Sequence, residues 1–329
     1  EQGAGFMAEG WARATGQVGV AVVISGPGVT NASTALGQCY ADSLPMLLIS
    51  AEPASHTIGK SWGVLHEITE QKKVTEPLCA FSATARRAAD VPELLARAFS
   101  ILASQRPRPC HISLPLDVQA EPVEDIWEPV LLPRRPSPCR NLVDQAAEAL
   151  AGAKIPVIMV GGGASDAAAS VTAIAEQLGA VVIASTAGKG IVPDDHPLSL
   201  SASTVRPAVQ EFLSRADVIL AVGTELSETD SFVDRLDIRG QIIRIDIDPT
   251  KINDLYPACI GIVADAGLTM AALEKALSAI PVNPGDGDRL VPDVRSDINS
   301  ALSASEHRHR RLLALPERIA PADTVWSGD

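Results

Sequence analysis

The pattern of apolar and polar positions predicts short buried strands that alternate with helices. In the first third of the chain, continuous apolar runs rich in β-branched residues lie at residues 18–25, 45–50 and 110–114. Such runs are typical of parallel strands that are buried on both faces. Apolar residues recur with helical period over 91–104, and Thr30 or Asn31 can cap a helix that runs to about Asp42.

A second stretch repeats this alternation. Its predicted strands cover residues 156–160, 180–184, 217–222, 241–247 and 259–263. Its predicted helices cover residues 166–178, 205–215 and 268–279. Glycines follow two of these strands, as Gly161-Gly162-Gly163 and as Gly223, and a strand followed by glycine is typical of a doubly wound domain. The predicted fold class is therefore α/β, with two doubly wound parallel-sheet domains.

Stretches rich in proline and charge set the predicted domain limits. The order that we predict is a domain at 1–125, a linker at 126–140, a domain at 141–280, a linker at 281–293, and a charged helix with the start of another strand at 294–329. The chain opens at Glu1 without an initiator Met, so we expect an internal start.

Composition excludes several classes of function. The net charge of -13 argues against binding to nucleic acid or to an anionic membrane surface. No apolar run has the length of a membrane span, and no secretory leader pattern opens the sequence. The five cysteines lack zinc-site spacing, which predicts free thiols in a reducing cytoplasm.

Several short motifs occur in a fixed order along almost the whole chain. They are EQGA at 1–4, AEGWARATG at 8–16, SGPGVTN at 25–31, DSLP at 42–45, RPRP at 106–109, GKG at 188–190, DHPLSL at 195–200 and DIDP at 246–249. Each motif alone is weak. The ordered set resembles the acetolactate synthase and 2-oxo acid decarboxylase family of thiamine-diphosphate enzymes.

This resemblance implies a partial pyrimidine-binding domain at 1–125, a central domain at 141–280, and only the start of a diphosphate-binding domain at 294–329. The implied cofactors are thiamine diphosphate and Mg²⁺. The metal ligands are expected beyond the chain, and none within it. Gly285-Asp286-Gly287 imitates the family's magnesium motif, but it follows no apolar strand, so we predict a loop.

The resemblance assigns Glu1 as the catalytic carboxylate that hydrogen-bonds the aminopyrimidine ring, whereas the residues alone would make it a frayed terminal residue. Gly26, Pro27 and Gly28 are either an ordinary strand-to-helix turn or a backbone shaped for close approach of the pyrimidine, and one loop can serve both purposes. Asn31 is either a helix cap or a residue of the same pocket. His66 lies where the family borders its active site, as a substrate contact, a proton-transfer group or a structural residue.

Whether FAD binds stays open. Acetolactate synthases bind FAD in the central domain, and Arg106 matches a family arginine that contacts it, although it could equally be a surface charge. Two departures count against FAD. Ser201-Ala202-Ser203-Thr204 replaces a glycine-rich loop, and the 224–230 segment adds Glu225, Glu228 and Asp230, which would repel a diphosphate.

The favoured function is carbon–carbon bond cleavage or formation on a small 2-oxo acid, in a homodimer or homotetramer whose active sites lie between subunits. Two versions stay open: an acetolactate-synthase-like carboligase, and an FAD-free decarboxylase such as those acting on 5-guanidino-2-oxopentanoate. The 65–67 and 223–226 segments look more like the second. The rivals are a non-catalytic nucleotide-binding or regulatory module and an inert fragment. The chain alone is expected to be inactive.

Overall fold

The computed structural model describes residues 1–123, 127–321 and 324, and the chain divides into two compact units, Glu1–Pro136 and Ser137–Asp329. The boundary between the units falls inside the segment that the sequence predicts as the first linker. Among the described residues, no helix combines the length and the apolar character that crossing a bilayer requires.

Unit 1 (Glu1–Pro136) is built around a parallel sheet. Its strands are β1 Gly19–Val23, β2 Met46–Glu52, β3 Phe81–Thr84 and β4 Cys110–Pro115. Its α-helices are α1 Gln2–Thr15, α2 Pro27–Asp42, α3 Gln71–Thr75, α4 Val91–Ser104 and α5 Leu116–Gln119, and short 3₁₀ turns cover Ser55–Thr57, Glu76–Leu78 and Ala88–Asp90. Within the described residues the strand order is β1-β2-β4-β3, and all neighbouring strands run parallel.

Strand β2 shows why the sheet is buried on both faces. Successive side chains of a strand point to opposite faces. Leu47 packs into one cluster with Phe81 and Leu102, while Leu48 packs into another with Leu36 of α2. A continuous apolar run, rather than an alternating one, is what this double burial requires.

Three features of unit 1 differ from the sequence predictions. Helix α2 begins at Pro27 and not after a cap at Thr30 or Asn31, because Gly26 is the N-cap and proline is well suited to the first helical position. Helix α1 was not predicted, because its buried face consists of the small residues Gly5, Ala8 and Ala12. The short strand β3 was not predicted either, since its FSAT sequence is half polar.

Unit 2 (Ser137–Asp329) is built around a second parallel sheet. Its strands are β5 Pro156–Val160, β6 Val181–Ala184, β7 Val218–Val222, β8 Gln241–Asp246 and β9 Ile260–Val263. Its α-helices are α6 Arg140–Ala151, α7 Ala168–Leu178, α8 Pro207–Arg215, α9 Glu228–Ser231, α10 Ala266–Leu277, α11 Gly287–Ser300 and α12 Ala304–Ile319, with 3₁₀ turns at Gly162–Ala167 and Pro249–Lys251. The strand order β6-β5-β7-β8-β9 places a topological switch point between β5 and β7.

The C-terminal part of unit 2 differs from the predicted linker and single helix. Helix α11 begins at Gly287, inside the predicted 281–293 linker, and it contains Pro292. Buried Val291 and Val294 hold this helix against the core, so tertiary packing outweighs the proline. A capping box at Ser303 then starts α12 as a separate helix. The strand predicted at 322–329 lies outside the described residues, except for residue 324.

Candidate active site

A tight turn at the carboxyl end of β1 carries the glycines that the sequence singles out. Gly26 has a φ of 57°, and a Cβ at this position would lie 2.1 Å from the carbonyl oxygen of His66. A Cβ on Gly28 would lie 2.7 Å from Cγ2 of Ile24. The turn therefore excludes side chains at both positions for steric reasons alone.

The side chain of Glu1 lies against the first turn of α2. Nδ2 of Asn31 donates to Oε2 of Glu1 over 3.3 Å. A Cβ built on Gly28 would lie 3.4 Å from Cγ of Glu1. The fold thus brings Glu1, Gly28 and Asn31 together. Glu1 is exposed, and a carboxylate with one such bond can accept further hydrogen bonds from a ligand.

The segment that carries His66 packs on the same turn. The carbonyl of His66 faces Gly26, and the residue has a positive φ of 60°, which is uncommon outside glycine. The side chain of His66 is exposed. The structure therefore places His66 beside the candidate turn, where its ring is accessible to a ligand.

A buried glutamine, which the sequence did not single out, holds the turn in place. Oε1 of Gln71 accepts from the backbone N–H of Gly26 over 2.8 Å. Its Nε2 donates to the carbonyl of Ala51 and to Oγ of Ser113, each over 2.7 Å, and to Oγ of Ser50 over 3.0 Å. In the polar TEQKK run, Gln71 has the pattern of a surface residue, so no sequence signal marked it.

A neutral histidine completes this polar network below the turn. His111 is fully buried on β4. Its Nε2 lies 2.8 Å from Oγ of Ser50, and its Nδ1 lies 2.8 Å from Oγ1 of Thr75 and 3.0 Å from Oγ of Ser82. Burial lowers the pKa of His111 to about 4. The ring is therefore uncharged at neutral pH and acts as a fixed hydrogen-bonding group.

We expect His111 to make unit 1 less stable in acid. An unfolded histidine has a pKa near 6.5, so between about pH 6.5 and pH 4 the unfolded chain binds more protons than the folded one. The free energy of unfolding should fall by roughly 3 kcal/mol across this window. Urea unfolding at successive pH values measures this free energy, and His111→Gln should flatten its dependence on pH. An equally steep profile in the variant would contradict this assignment.

Glu52 is a second residue that the sequence analysis missed. It ends β2, is 6 % exposed, and one of its oxygens, Oε2, has no hydrogen-bond partner among the described residues. Burial raises the pKa of its carboxyl group, while hydrogen bonds with Thr84 and Ser113 oppose the shift. Its place at the carboxyl end of a parallel strand is a sequence signal that could have marked it.

Arg106 lies at the amino ends of the strands in unit 1, opposite to the candidate turn. It precedes β4, and its Nε donates to Oγ of Ser43, which precedes β2, over 2.9 Å. Gly26 follows β1, at the carboxyl ends of the strands. The fold therefore does not bring Arg106 together with Glu1, Gly26 or His66.

In unit 2, the glycine cluster after β5 packs against the loop after β7. The N–H of Gly163 donates to the carbonyl of Gly223 over 3.1 Å, and a Cβ on Gly161 would lie 2.2 Å from the same oxygen. Asp230 accepts from the backbone N–H of Thr186 over 2.9 Å and lines a small cavity at this edge of the sheet. The glycines serve this close backbone packing.

Both units match family models. Residues 1–75 match the model described as "Thiamine pyrophosphate enzyme, N-terminal TPP binding domain", and residues 143–273 match "Thiamine pyrophosphate enzyme, central domain". This chain belongs to the thiamine pyrophosphate enzyme family. Glu1, Gly26, Asn31 and His66 all lie within the first match, in which the structure places them around one turn.

Relatives within the thiamine pyrophosphate enzyme family are longer than this chain. The chain is 44 % identical to "Probable 2-ketoarginine decarboxylase AruI" of Pseudomonas aeruginosa, over 100 % of the chain and 59 % of the relative. It is 32 % identical to an acetolactate synthase large subunit of Corynebacterium glutamicum, over 85 % of the chain and 46 % of that relative. It is 33 % identical to glyoxylate carboligase of Escherichia coli O157:H7, over 83 % of the chain and 47 % of that relative. The chain therefore spans about half the length of these relatives.

A solved structure supports the fold assignment. An X-ray structure of a candidate thiamin diphosphate-dependent enzyme from Mycobacterium smegmatis superposes with a TM-score of 0.74 at 22 % identity. The match covers 86 % of this chain and 56 % of that one. The α/β fold with two parallel sheets is thus confirmed.

The turn in unit 1 fits the pyrimidine end of thiamine diphosphate, the coenzyme of this thiamine pyrophosphate enzyme family. The two buried glycines let the segment of His66, Ile24 and Glu1 pack directly on the turn, which fixes the backbone beside the candidate site. The exposed carboxylate of Glu1 lies next to this turn and can accept a further hydrogen bond. Among the described residues, no group of three His, Cys, Asp or Glu side chains could hold a metal ion.

Gly285-Asp286-Gly287 is the start of a helix. The N–H of Gly285 donates to the carbonyl of Leu178 over 2.8 Å, and the N–H of Gly287 donates to that of Gly179 over 3.1 Å. Asp286 is the N-cap of α11, and its carboxylate is paired with Arg289 at 2.8 Å. The two glycines therefore allow close packing on Gly179. The prediction of a loop was wrong at the third residue of the triplet, where helix α11 begins.

The small cavity beside the glycine cluster of unit 2 offers little to the diphosphate of FAD. Two backbone N–H groups beside it are already used, since Thr186 donates to Asp230 and Gly163 donates to Gly223. The carboxylate of Asp230 lines this cavity, and Oγ of Ser227 donates to it over 3.0 Å.

We therefore expect the protein to purify without flavin. The physical reason is repulsion between a diphosphate and Asp230, which lines a small cavity with backbone N–H groups beside it already used. Bound flavin is measured by the visible absorption spectrum of the purified complete protein, after incubation with excess FAD and gel filtration. A stoichiometric flavin band after gel filtration would contradict this expectation.

Proposed function

We propose that the complete protein uses thiamine diphosphate and Mg²⁺ to decarboxylate a 2-oxo acid that carries a cationic side chain. The observation that carries this proposal is the position of the Glu1 carboxylate, next to Gly28 and hydrogen-bonded to Asn31, in the part of the chain that matches the thiamine-binding domain. The bound coenzyme supplies the carbon nucleophile and the electron sink for loss of CO₂.

The roles of the residues follow from their surroundings. Glu1 holds the hydrogen bond to the far nitrogen of the aminopyrimidine ring, and Asn31 orients the Glu1 carboxylate. Gly26, Pro27 and Gly28 form the turn that would border the pyrimidine ring, and Gln71 fixes the backbone of that turn. The exposed ring of His66 is our candidate for a substrate contact or for a proton-transfer group.

The substrate class is proposed from the relatives. The relative that matches along the whole chain is named for 2-ketoarginine, which is 5-guanidino-2-oxopentanoate. The acetolactate synthase and glyoxylate carboligase relatives match less of the chain at lower identity. The Asp230 carboxylate beside the glycine cluster would repel a flavin diphosphate, which also favours the decarboxylase over an acetolactate-synthase-like carboligase.

We further propose a cytoplasmic homodimer or homotetramer. Unit 1 exposes the apolar side chains of Met7 (73 %), Trp11 (53 %) and Val22 (69 %). Met7 and Trp11 lie one turn apart on α1, and such exposed apolar side chains are typical of surfaces that are covered by another domain or subunit. Light scattering after gel filtration of the complete protein measures the oligomeric state, and a monomer would contradict this part of the proposal.

The function is tested by following CO₂ release from 5-guanidino-2-oxopentanoate with the complete protein. Release should require both thiamine diphosphate and Mg²⁺, and calorimetry should show coenzyme binding only with the metal present. Acetolactate formation from pyruvate is assayed in parallel. No coenzyme binding would refute the enzymatic proposal, whereas acetolactate formation without release from the guanidino acid would favour the carboligase.

A further inference from the structure

A second feature of unit 1 is a small cavity between the end of β2 and the 58–71 segment. Its lining includes the three carboxyl groups of Glu52, Glu67 and Glu70, together with Ile58 and Ile68. No lysine, arginine or histidine is among the described residues that line it. A cavity whose ionisable groups are all acids has a negative potential, which favours a cationic ligand.

Glu52 distinguishes this cavity from an ordinary acidic surface. The residue is 6 % exposed, and its buried Oε2 has no hydrogen-bond partner among the described residues. A buried carboxyl oxygen without a partner costs free energy, which a donor supplied by a ligand would recover. The other two acids have partners: Glu67 accepts from the N–H of Gly63 over 2.7 Å, and Glu70 pairs with Lys73 at 2.6 Å.

The cavity adjoins the candidate turn within the same unit. Gln71 lines the cavity, and its Oε1 accepts from the N–H of Gly26. The carbonyl of His66, in the segment that walls the cavity, faces Gly26. Gln71 and the segment of His66 thus join the cavity directly to the candidate turn.

We propose that this cavity binds the cationic end of the substrate and that Glu52 is the residue that selects it. This inference rests on the proposed function, because it assigns a specificity site to the same reaction. A guanidinium group presents paired N–H donors that match a carboxylate, and Ile58 and Ile68 can pack on the methylene groups behind it. Burial raises the pKa of the Glu52 carboxyl group, and a cation bound beside it would stabilise its ionised form.

The test compares a cationic and a neutral substrate in the complete protein loaded with thiamine diphosphate and Mg²⁺. The substrates are 5-guanidino-2-oxopentanoate and 2-oxohexanoate, and the measured quantity is the ratio of their kcat/KM values. Glu52→Gln should lower this ratio by about tenfold or more, mainly through KM of the guanidino acid. Glu70→Gln, at an exposed position of the lining, should lower it a few-fold.

Glu76→Gln is the matched control. Glu76 is an exposed acid of the same unit, it pairs with Lys72 at 3.5 Å, and it does not line the cavity. Its substitution should leave the ratio unchanged. If Glu52→Gln lowers kcat/KM for both substrates equally, or leaves the ratio unchanged, the proposal is overturned. If Glu52→Gln does not fold by circular dichroism, an unchanged ratio in Glu70→Gln overturns it instead.

A binding measurement separates this inference from the proposed function. Calorimetry with 4-guanidinobutanoate needs no turnover. Binding that Glu52→Gln weakens by about tenfold supports the cavity even if neither 2-oxo acid is decarboxylated. Turnover of 2-oxohexanoate in preference to the guanidino acid overturns the cavity assignment and the cationic substrate class, and it leaves thiamine-diphosphate-dependent decarboxylation of a 2-oxo acid standing.

Discussion

Replacing Glu1 by glutamine is expected to lower kcat for CO₂ release from 5-guanidino-2-oxopentanoate by about 100-fold or more. The variant keeps the size of the side chain and can keep a contact with Asn31, which lies 3.3 Å away in the parent. It loses the carboxylate that we propose to hold a hydrogen bond at the far pyrimidine nitrogen. Steady-state CO₂ release from the complete protein measures the effect, and calorimetry measures weakened binding of the coenzyme.

Glu93→Gln serves as the control for Glu1→Gln. Glu93 is an exposed acid in the first turn of α4 in the same unit. The substitution changes the net charge by the same amount and should leave kcat and coenzyme binding within about twofold of the parent. If Glu1→Gln retains both parental turnover and parental binding, the role proposed for Glu1 is refuted.

Replacing Gly26 by alanine is expected to destabilise unit 1 by about 2–4 kcal/mol. The added Cβ would lie 2.1 Å from the carbonyl oxygen of His66, a backbone atom that cannot rotate away, and the φ of 57° is strained for any side chain. Urea unfolding followed by circular dichroism measures the loss. Coenzyme affinity should fall as well, because the turn must shift to relieve the clash.

Gly10→Ala is the matched control for Gly26→Ala. Gly10 lies in the interior of α1, is exposed, and has no atom within 4 Å of an added Cβ. Alanine there should stabilise the helix by about 0.5–1 kcal/mol, because it loses less backbone entropy on folding. Equal stability changes in the two variants would show that the contact with His66 does not constrain the turn.

The sequence predicted the strands better than it predicted the starts of the helices. Buried runs such as the one that forms β5 Pro156–Val160 have no alternative to a two-sided parallel strand. Helix α2 begins earlier than predicted because Gly26 and Pro27 together form a better helix start than Thr30 or Asn31. Helix α11 starts inside a predicted linker because its contacts with Gly179 are remote in sequence.

The candidate site was predicted in part, for a similar physical reason. Glu1, Gly26 and Asn31 belong to local motifs, and the structure brings them together as α1 and α2 pack. Glu52 and Gln71 acquire their significance only from burial and from partners 20 or more residues away, such as Ser113. No local pattern records such contacts, so Gln71 required the three-dimensional fold, whereas the position of Glu52 just after a predicted strand could have drawn attention to it.

Oε1 of Gln71 accepts from the turn after β1, and its amide N–H groups are shared among acceptors at the ends of β2 and β4, so this side chain clamps the three segments together. Any displacement of the Gly26 peptide must therefore break its hydrogen bond to the buried side chain of Gln71. An effort to retarget the enzyme to other 2-oxo acids should accordingly keep position 71 fixed and diversify Ile58 and Ile68, whose side chains border the same cavity without anchoring the catalytic geometry.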